Sequence, residues 1–423
     1  MEQIIQSYVT EKTFMGAVLV VRDGKPLLDK GYGFADLEWN IPNTPATKFR
    51  LGSITKQFTA ASILLLEERG KLKLTDPVRR YLPDLPESWD KITIFNLLTH
   101  TSGISDYTSP PGFNAFKGRN LTPQQIVDLV RDKPLGFQPG EKYGYSSTGY
   151  VLLGMVIEKL GGQPYAEFLQ ANIFAPLGMK DTGCYSQAIL PLGASGYQRS
   201  YERDTDGVLK NADFVDGNVL FAAGSLYSTT HDLLTWERAL FAGKVVKPAS
   251  LARMATPFKN SYGLGLSISS GEHREIWHNG NVDGFASMMA NYPSDRLTII
   301  VLDNVGTNAP RDMADKLADI AFGKPVVLPS ERKEVPVDRR ILARYVGHYR
   351  MTPAFAFDIT LEGNALFFQA THQDKVPIFP ESPKDFFVKV VDAQFSFIAD
   401  GDGPATAVVM HQNGQSTTGA RVP

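Results

Sequence analysis

The sequence predicts an α+β protein with a second, all-β domain, and three observations carry that prediction. Strand-like runs at 16–22 and 26–32, and again at 262–268, 275–278, 285–292 and 297–303, enclose a centre whose apolar spacing is helical. This is the pattern of one antiparallel sheet that draws together the two ends of a largely helical segment. A charged stretch at 325–336, holding Pro325, Pro329 and Pro336, then breaks the pattern and reads as a linker. Beyond it, seven short strand-like runs separated by Gly, Asp, Asn and Pro predict a small β-barrel or sandwich. A length of 423 residues independently asks for more than one core. The expected division is a first domain over 1–324, a linker over 325–337 and a barrel-like domain over 338–423.

The first domain begins with a short helix over 3–8. A β-branched run, 16–22, is joined through Asp23-Gly24 to 26–32, the signature of an antiparallel hairpin. Polar, Pro-containing 36–47 is expected to be a loop. The stretch 49–59 then leads into apolar 60–66. Ser53 and Thr55 are suited to helix capping, and Gly70 to closing the helix. Thr93 is expected to cap a helix over 94–99, followed by His100-Thr101-Ser102-Gly103. Residues 105–119 form a long Pro/Gly/Ser/Asn-rich loop, and Thr122-Pro123 starts a helix through 130. Helices are expected over 148–160, stopped by Gly161-Gly162, and over 165–174. Residues 216–226 read as loop, Thr229 or Thr230 as the cap of a helix through 240, and 312–322 as a last amphipathic helix. The seven runs of the second domain are 345–350, 355–361, 365–370, 376–379, 386–391, 394–399 and 406–412.

Composition excludes several functions. Hydrophobic content of 43% and charged content of 21% are ordinary for a globular protein. A formal net charge of −2 gives no electrostatic case for nucleic acid or an anionic membrane as partner. No apolar run approaches the roughly 18 residues that span a bilayer. Cys184, the single cysteine, can form no intramolecular disulfide and, beside Leu177, Met179 and Leu190, reads as a packing residue. The seven histidines are scattered and no His-Glu-x-x-His is present, so neither metal nor cofactor is expected; His231, His273, His348, His372 and His411 read as solvated or edge residues. The first residues lack the pattern of a signal peptide, so the chain is expected to be cytoplasmic unless such a peptide has been removed, in which case it is periplasmic or secreted.

Chemistry concentrates at Ser53. Ser53 and Lys56 stand three apart where an extended segment becomes a hydrophobic helix, so both side chains share one face. A serine hydroxyl needs a neighbouring base, and a lysine kept neutral by burial can be that base. The backbone N–H of Ser53, at a helix start, is placed to stabilise an oxyanion. The same spacing also fits a plain N-cap serine with a surface lysine. A second Ser-x-x-Lys, Ser330 to Lys333, falls in the linker. Two other stretches read as site candidates. Tyr145 lies after a Pro-Gly loop and just before a helix start, which also fits a half-buried aromatic with a satisfied hydroxyl. His278-Asn279-Gly280 closes a strand ahead of a turn-rich segment, with Gly280 marking a place where a ligand approaches the backbone closely and His278 also fitting an edge-strand histidine.

Together, Ser53-Ile54-Thr55-Lys56, Tyr145-Ser146-Ser147 and His278-Asn279-Gly280 resemble the three ordered motifs of the serine β-lactamase and penicillin-binding-protein superfamily. Leu97 to Gly103, Pro139-Gly140-Glu141, Gly149 to Gly154 and Ala223 to Leu226 resemble its class C branch, which includes class C β-lactamases, esterases and D-stereospecific aminopeptidases. The resemblance covers about residues 10 to 323. It implies Ser53 as acylated nucleophile, Lys56 and Tyr145 as the pair moving its proton, and His278 where many relatives have lysine, orienting substrate and the Tyr145 hydroxyl. It also implies an oxyanion hole from the N–H groups of Ser53 and Asn281, and substrate contacts from Ser147, Asn279, Gly280 and Asn281. The C-terminal segment resembles the lipocalin-like domain of some peptidases of this superfamily.

Two departures bear on substrate. Ser147 stands where asparagine is usual, and a hydroxyl is less suited than an amide to donating and accepting at once. His278 in place of lysine removes a permanent charge from the place of a substrate carboxylate. The expected function is a serine hydrolase, a carboxylesterase or peptidase, that forms a Ser53 acyl-enzyme with small esters or D-amino-acid amides and peptides. A β-lactamase or D-Ala-D-Ala carboxypeptidase is one alternative. A binding or sensing protein that has lost the chemistry is the other. Oligomeric state is left open.

Overall fold

The computed structural model describes residues 1–422 except 110–111, 201–206, 327–330, 353–354, 371–374, 389–392, 402 and 413–414. The linker copy of the motif at Ser330, and His372, lie outside the described residues. The chain forms two compact units, Met1–Ala321 and Phe322–Pro423.

The first unit is built on a six-stranded antiparallel sheet in the order Ser267–Ser269, Glu275–Val282, Phe285–Tyr292, Leu297–Asp303, Gly16–Arg22, Lys25–Tyr32. Gly16 pairs with Asp303 and Arg22 with Leu297, so the two ends of the unit meet at the middle of the sheet. The strands Phe285–Tyr292 and Leu297–Asp303 are buried at every position, which explains their unbroken apolar runs. Ala17, Leu19 and Val21 join the large core on one face, and the alternation of a strand turns Val18 and Val20 to the other. Helices Thr230–Phe241 and Ala309–Ala321 pack on Leu297–Asp303.

The helix Thr55–Glu68 runs through this core, buried at every position from Thr55 to Leu64. A helix without a solvent face must satisfy its polar side chains internally. Thr59 meets the Tyr165 hydroxyl and the Ala222 carbonyl, each at 2.7 Å, and the Gln57 amide oxygen accepts from the Trp236 indole at 3.1 Å. Thr55 does not cap this helix. Its hydroxyl accepts from the Leu226 N–H at 3.1 Å, and Ser53 makes no side-chain cap either, because one turn of 3₁₀ helix, Gly52–Ile54, precedes the α-helix. Gly70 follows the helix at φ +70°, the conformation expected of a terminating glycine. Thr93 and Thr122 each form a reciprocal capping box, with Asn96 and Gln125.

Several segments depart from the sequence reading. Residues 216–226, expected as loop, form a helix Gly217–Gly224, capped by Asp216 and kinked at Phe221, followed by a strand Leu226–Ser228 on Phe49–Arg50. The run is Gly-rich and of low helix propensity, but it packs against the helices Thr55–Glu68 and Ser147–Gly161, and tertiary contact overrides propensity. Of the expected strand at 262–268 only Ser267 and Ile268 lie in a strand, Ser267–Ser269, while Tyr262 makes isolated bridges to Lys259 and Ser267, and a Cβ on Gly265 would lie 2.8 Å from the Lys56 carbonyl oxygen. The strand expected to end at His278 continues to Val282, and the turn is Asp283-Gly284. A short helix, Pro248–Met254, was not expected. The helix expected over 165–174 divides into Tyr165–Leu169 and a wider π turn, Gln170–Phe174.

The second unit is a closed antiparallel barrel of eight strands, preceded by a short helix, Arg339–Ala343. The eighth strand, Gln415–Val422, pairs with Gly347–Thr352 and closes it. Its sequence is polar and contains Gly419, so it lacks the alternation that marks the other seven; closure leaves no edge exposed. The interior is filled. Tyr349, Phe357, Phe386, Phe395 and Phe397 are buried, and Tyr345 stacks on Phe397 at 4.4 Å. Among the described residues, no helix is long and apolar enough to cross a membrane.

Candidate active site

The backbone comes first in assembling the site. Gly52 has φ +53°, and a Cβ there would lie 2.7 Å from the Asn281 nitrogen. A Cβ on Gly280 would lie 2.0 Å from the Leu51 carbonyl oxygen and 2.7 Å from the Ser53 nitrogen. Only glycine allows the chain at 52–53 and the strand at 280–281 to lie this close. The Ser287 hydroxyl locks the junction, donating to the Leu51 carbonyl at 2.7 Å. The Ser53 and Asn281 backbones thereby border one cleft of about 350 Å³.

Ser53 Oγ then receives two partners. Lys56 Nζ lies 2.9 Å away and also donates to the Ala223 carbonyl at 2.8 Å. The Tyr145 hydroxyl donates to the same Oγ at 2.8 Å. Lys56 is fully buried, and that burial lowers its pKa to about 7, against a small upward pull from Asp106. Tyr145 is 39% exposed as a residue, but its hydroxyl end is enclosed, and burial raises the phenol well above its ordinary value. Near neutrality the site therefore holds a partly deprotonated amine and a protonated phenol on one serine oxygen, the state required to activate that serine.

Ser147 is the first residue of the helix Ser147–Gly161; its side chain borders the cleft and its N–H donates to Asp106 Oδ1 at 3.1 Å. His278 is brought to the edge of the cluster and not into the cleft. Its Nε2 lies 2.9 Å from the Tyr262 hydroxyl and its Nδ1 2.6 Å from the Asn279 carbonyl oxygen. Burial, with a contribution from Lys56, lowers its pKa to about 4, so it is neutral. Its hydrogen bonds go to Tyr262 and Asn279, whereas the resemblance implied that it orients substrate and the Tyr145 hydroxyl. Asn281 lines the cleft; Asn279 and Gly280 do not, Asn279 supplying a carbonyl to His278 and Gly280 the close approach to Ser53. Cys184 is half-buried, with its thiol pushed up to about 12 by burial, which leaves it unreactive.

Sequence reasoning assigned no role to Asp106, Tyr262 or Asp283, and had His100 only as the residue that follows a short helix. Asp283 is the one charged side chain among the cleft-lining residues; it pairs with Lys117, which also pairs with Asp213 at 2.8 Å. His100 and Gly103 both adopt positive φ, and the unusual His-Thr-Ser-Gly sequence was the available signal. Among the described residues no group of acidic, histidine or cysteine side chains is arranged to hold a metal ion.

Residues 1–323 match the family model described as Beta-lactamase, and residues 331–421 match one described as a domain of unknown function, DUF3471. Penicillin-binding protein 4* of Bacillus subtilis (strain 168) is 30% identical over 100% of this chain and 98% of its own. The octameric penicillin-binding protein homologue from Pyrococcus abyssi superposes with a TM-score of 0.72 at 25% identity, covering 99% of this chain and 98% of that one. The D-amino acid amidase from Ochrobactrum anthropi SV3 gives a TM-score of 0.64 at 27% identity over 76% of this chain and 97% of that one.

Proposed function

We propose, from the premise that this chain belongs to the Beta-lactamase family of serine hydrolases, that it hydrolyses small esters or D-amino-acid amides and peptides through an acyl-enzyme on Ser53. One observation carries this reading: Lys56 and Tyr145 both reach Ser53 Oγ, at 2.9 and 2.8 Å, while burial brings the lysine pKa to about 7. As Oγ attacks the substrate carbonyl, neutral Lys56 takes the hydroxyl proton. The oxyanion forms against the N–H groups of Ser53 and Asn281, each such donor lowering the barrier by about 3–4 kcal/mol. Collapse expels the alcohol or amine, which takes a proton from Tyr145, and Lys56 returns that proton to the phenol. Water then repeats the sequence on the acyl-enzyme.

The lining supports the substrate class. Among the described residues it carries no lysine or arginine to hold a substrate carboxylate, and His278 is neutral, so an acyl group that is uncharged or bears an amine fits better than one ending in a carboxylate. Ser147 favours esters and simple amides over β-lactams, whose turnover is a side reaction. The same reading takes residues 1–324 as the hydrolase domain, 325–337 as linker and 338–423 as a barrel domain, in keeping with the break between compact units after Ala321.

The test is intact-protein mass spectrometry after a fluorophosphonate and, separately, a penicillin, on wild type and Ser53→Ala, beside hydrolysis of a short-chain nitrophenyl ester. A Ser53-dependent adduct with ester turnover is expected. A folded protein with neither would overturn the hydrolase reading in favour of a binding role.

A further inference from the structure

We propose that His100 is the positioning residue for Tyr145, holding the phenol on Ser53 from both sides of the peptide and from beneath the ring; this rests on the reading of Tyr145 as a proton-transfer group. The chain around Tyr145 is gripped twice by this one histidine. The Gly144 N–H donates to the His100 carbonyl at 2.8 Å, and the Ser146 N–H donates to His100 Nδ1 at 3.1 Å. Between these two bonds the imidazole lies against the Tyr145 ring, centroids 4.2 Å apart and planes tilted by 33°. Tyr145 stands before a helix and is partly exposed, and besides the imidazole its ring meets Lys56 Nζ at 4.9 Å. Left to itself such a side chain exchanges rotamers in nanoseconds, which is incompatible with a fixed 2.8 Å contact to Ser53.

His100 is itself over-determined. It has φ +54°, a conformation that costs a non-glycine residue about 1 kcal/mol or more and persists where neighbours impose it. Its ring is enclosed by Tyr150 at 5.1 Å, Tyr262 at 4.8 Å and Tyr143 at 5.9 Å. Tyr262 continues to His278, so the imidazole also joins the Tyr145 loop to the strand that carries Asn281. Since a backbone N–H can only donate, Nδ1 must be the acceptor and Nε2 must carry the proton. Nε2 is buried and meets no hydrogen-bond partner among the described residues. That orphaned donor is the cost of aiming the other nitrogen at Ser146. The ionisable groups facing the ring are Lys56, His278 and the four tyrosines 143, 145, 150 and 262. Burial first, then Lys56 and His278, hold His100 well below the usual histidine range, against an upward pull from the Ser146 N–H.

The experiment is a double-mutant cycle on nitrophenyl ester hydrolysis, using His100→Phe, Tyr145→Phe and the pair. His100→Phe keeps an aromatic ring and removes Nδ1. Misplacement by about 1 Å can cost up to about 100-fold, so kcat is expected to fall roughly 10- to 100-fold with KM moving less than about 3-fold. In the Tyr145→Phe background the His100 substitution is expected to change kcat less than about 2-fold, because its effect passes through the missing hydroxyl. Effects that multiply, or wild-type kcat in a folded His100→Phe, would overturn the proposal. Tyr145→Phe with unchanged rate would instead overturn the proton-transfer reading beneath it. Should His100→Phe not fold, nitrogen NMR of the wild-type histidines decides. A bare Nδ1 and protonated Nε2 that do not titrate between pH 5 and 9 support the proposal, and a proton on Nδ1 overturns it.

Discussion

The core beneath Ser53 and the interior of the C-terminal barrel are both packed with buried side chains, and they are filled in opposite ways. Around Ser53 the buried side chains include Lys56, His100, His278 and Arg50. In the barrel they are Tyr349, Phe357, Phe386, Phe395 and Phe397 with aliphatic neighbours. Burying an amine or imidazole costs several kcal/mol unless the group is paired or gives up its charge, and both Lys56 and His278 are driven toward neutrality. The barrel core, as far as its residues are described, bears no such cost. Reactivity therefore resides in the polar core, where burial sets the charge state of the groups around the nucleophile.

The sharpest way to break this contrast is at the nucleophile. Ser53→Ala should reduce ester hydrolysis by roughly 10⁴-fold or more, while Ser330→Ala in the second Ser-x-x-Lys should remain near wild type. Equal losses in steady-state assays would dissolve the distinction between the two motifs. Next in size is the barrel: Phe395→Ala should destabilise that unit by about 3–5 kcal/mol in urea unfolding, with Ser53 acylation retained. Loss of acylation at matched folding would show that the two regions are not chemically separate.

A pH series sharpens the contrast further. With Lys56 at about 7, kcat/KM should fall about tenfold per pH unit below that value and level off above it. The folded lysine binds fewer protons than the unfolded one between about 7 and 10.5, so its contribution makes stability rise with pH across that window. His278, at about 4 when folded and 6.5 in its ordinary state, makes stability fall as pH drops through that interval. Urea midpoints that do not change between pH 6.5 and 4 in wild type, or that change equally in His278→Asn, would remove this assignment. The smallest expected effect is at Ser147. Ser147→Asn should move the ratio of amide to ester rates upward by about tenfold, the worth of one added hydrogen bond, and an unchanged ratio would show that this position does not set the preference.

Local signals explain what was legible beforehand. The helix after Ser53, its end near Gly70, the hairpin at Asp23-Gly24 and the caps at Thr93 and Thr122 depend on residues within a few positions of one another, and all are found. So are Ser53, Lys56 and Tyr145 in mutual contact, the last through a resemblance of ordered motifs rather than through periodicity. The helix Gly217–Gly224 was missed because only its neighbours make it helical, and the closing strand Gln415–Val422 because its apolar pattern is absent. Strand pairing carries the chain past His278 to Val282 with Phe285–Tyr292 alongside, which no feature of Asn279 to Val282 announces. His100 was underestimated for the same reason, since its meaning lies in the segment 144–146, distant in sequence.

The pairing of Gly16–Arg22 with Leu297–Asp303 also sets a timetable for biosynthesis. The Met15 N–H waits for Asp303 Oδ1, 288 positions away. At roughly 5–20 residues per second, a ribosome needs about 15–60 s to deliver that partner. Throughout the interval the Val-rich first strand has only its hairpin neighbour, and its other edge is open to any passing strand. A nascent chain stalled with residue 280 outside the exit tunnel should be cut readily by protease, and one stalled beyond residue 321 should resist. For this protein, the slow and vulnerable stage of life precedes the first catalytic cycle and ends with the emergence of a single strand.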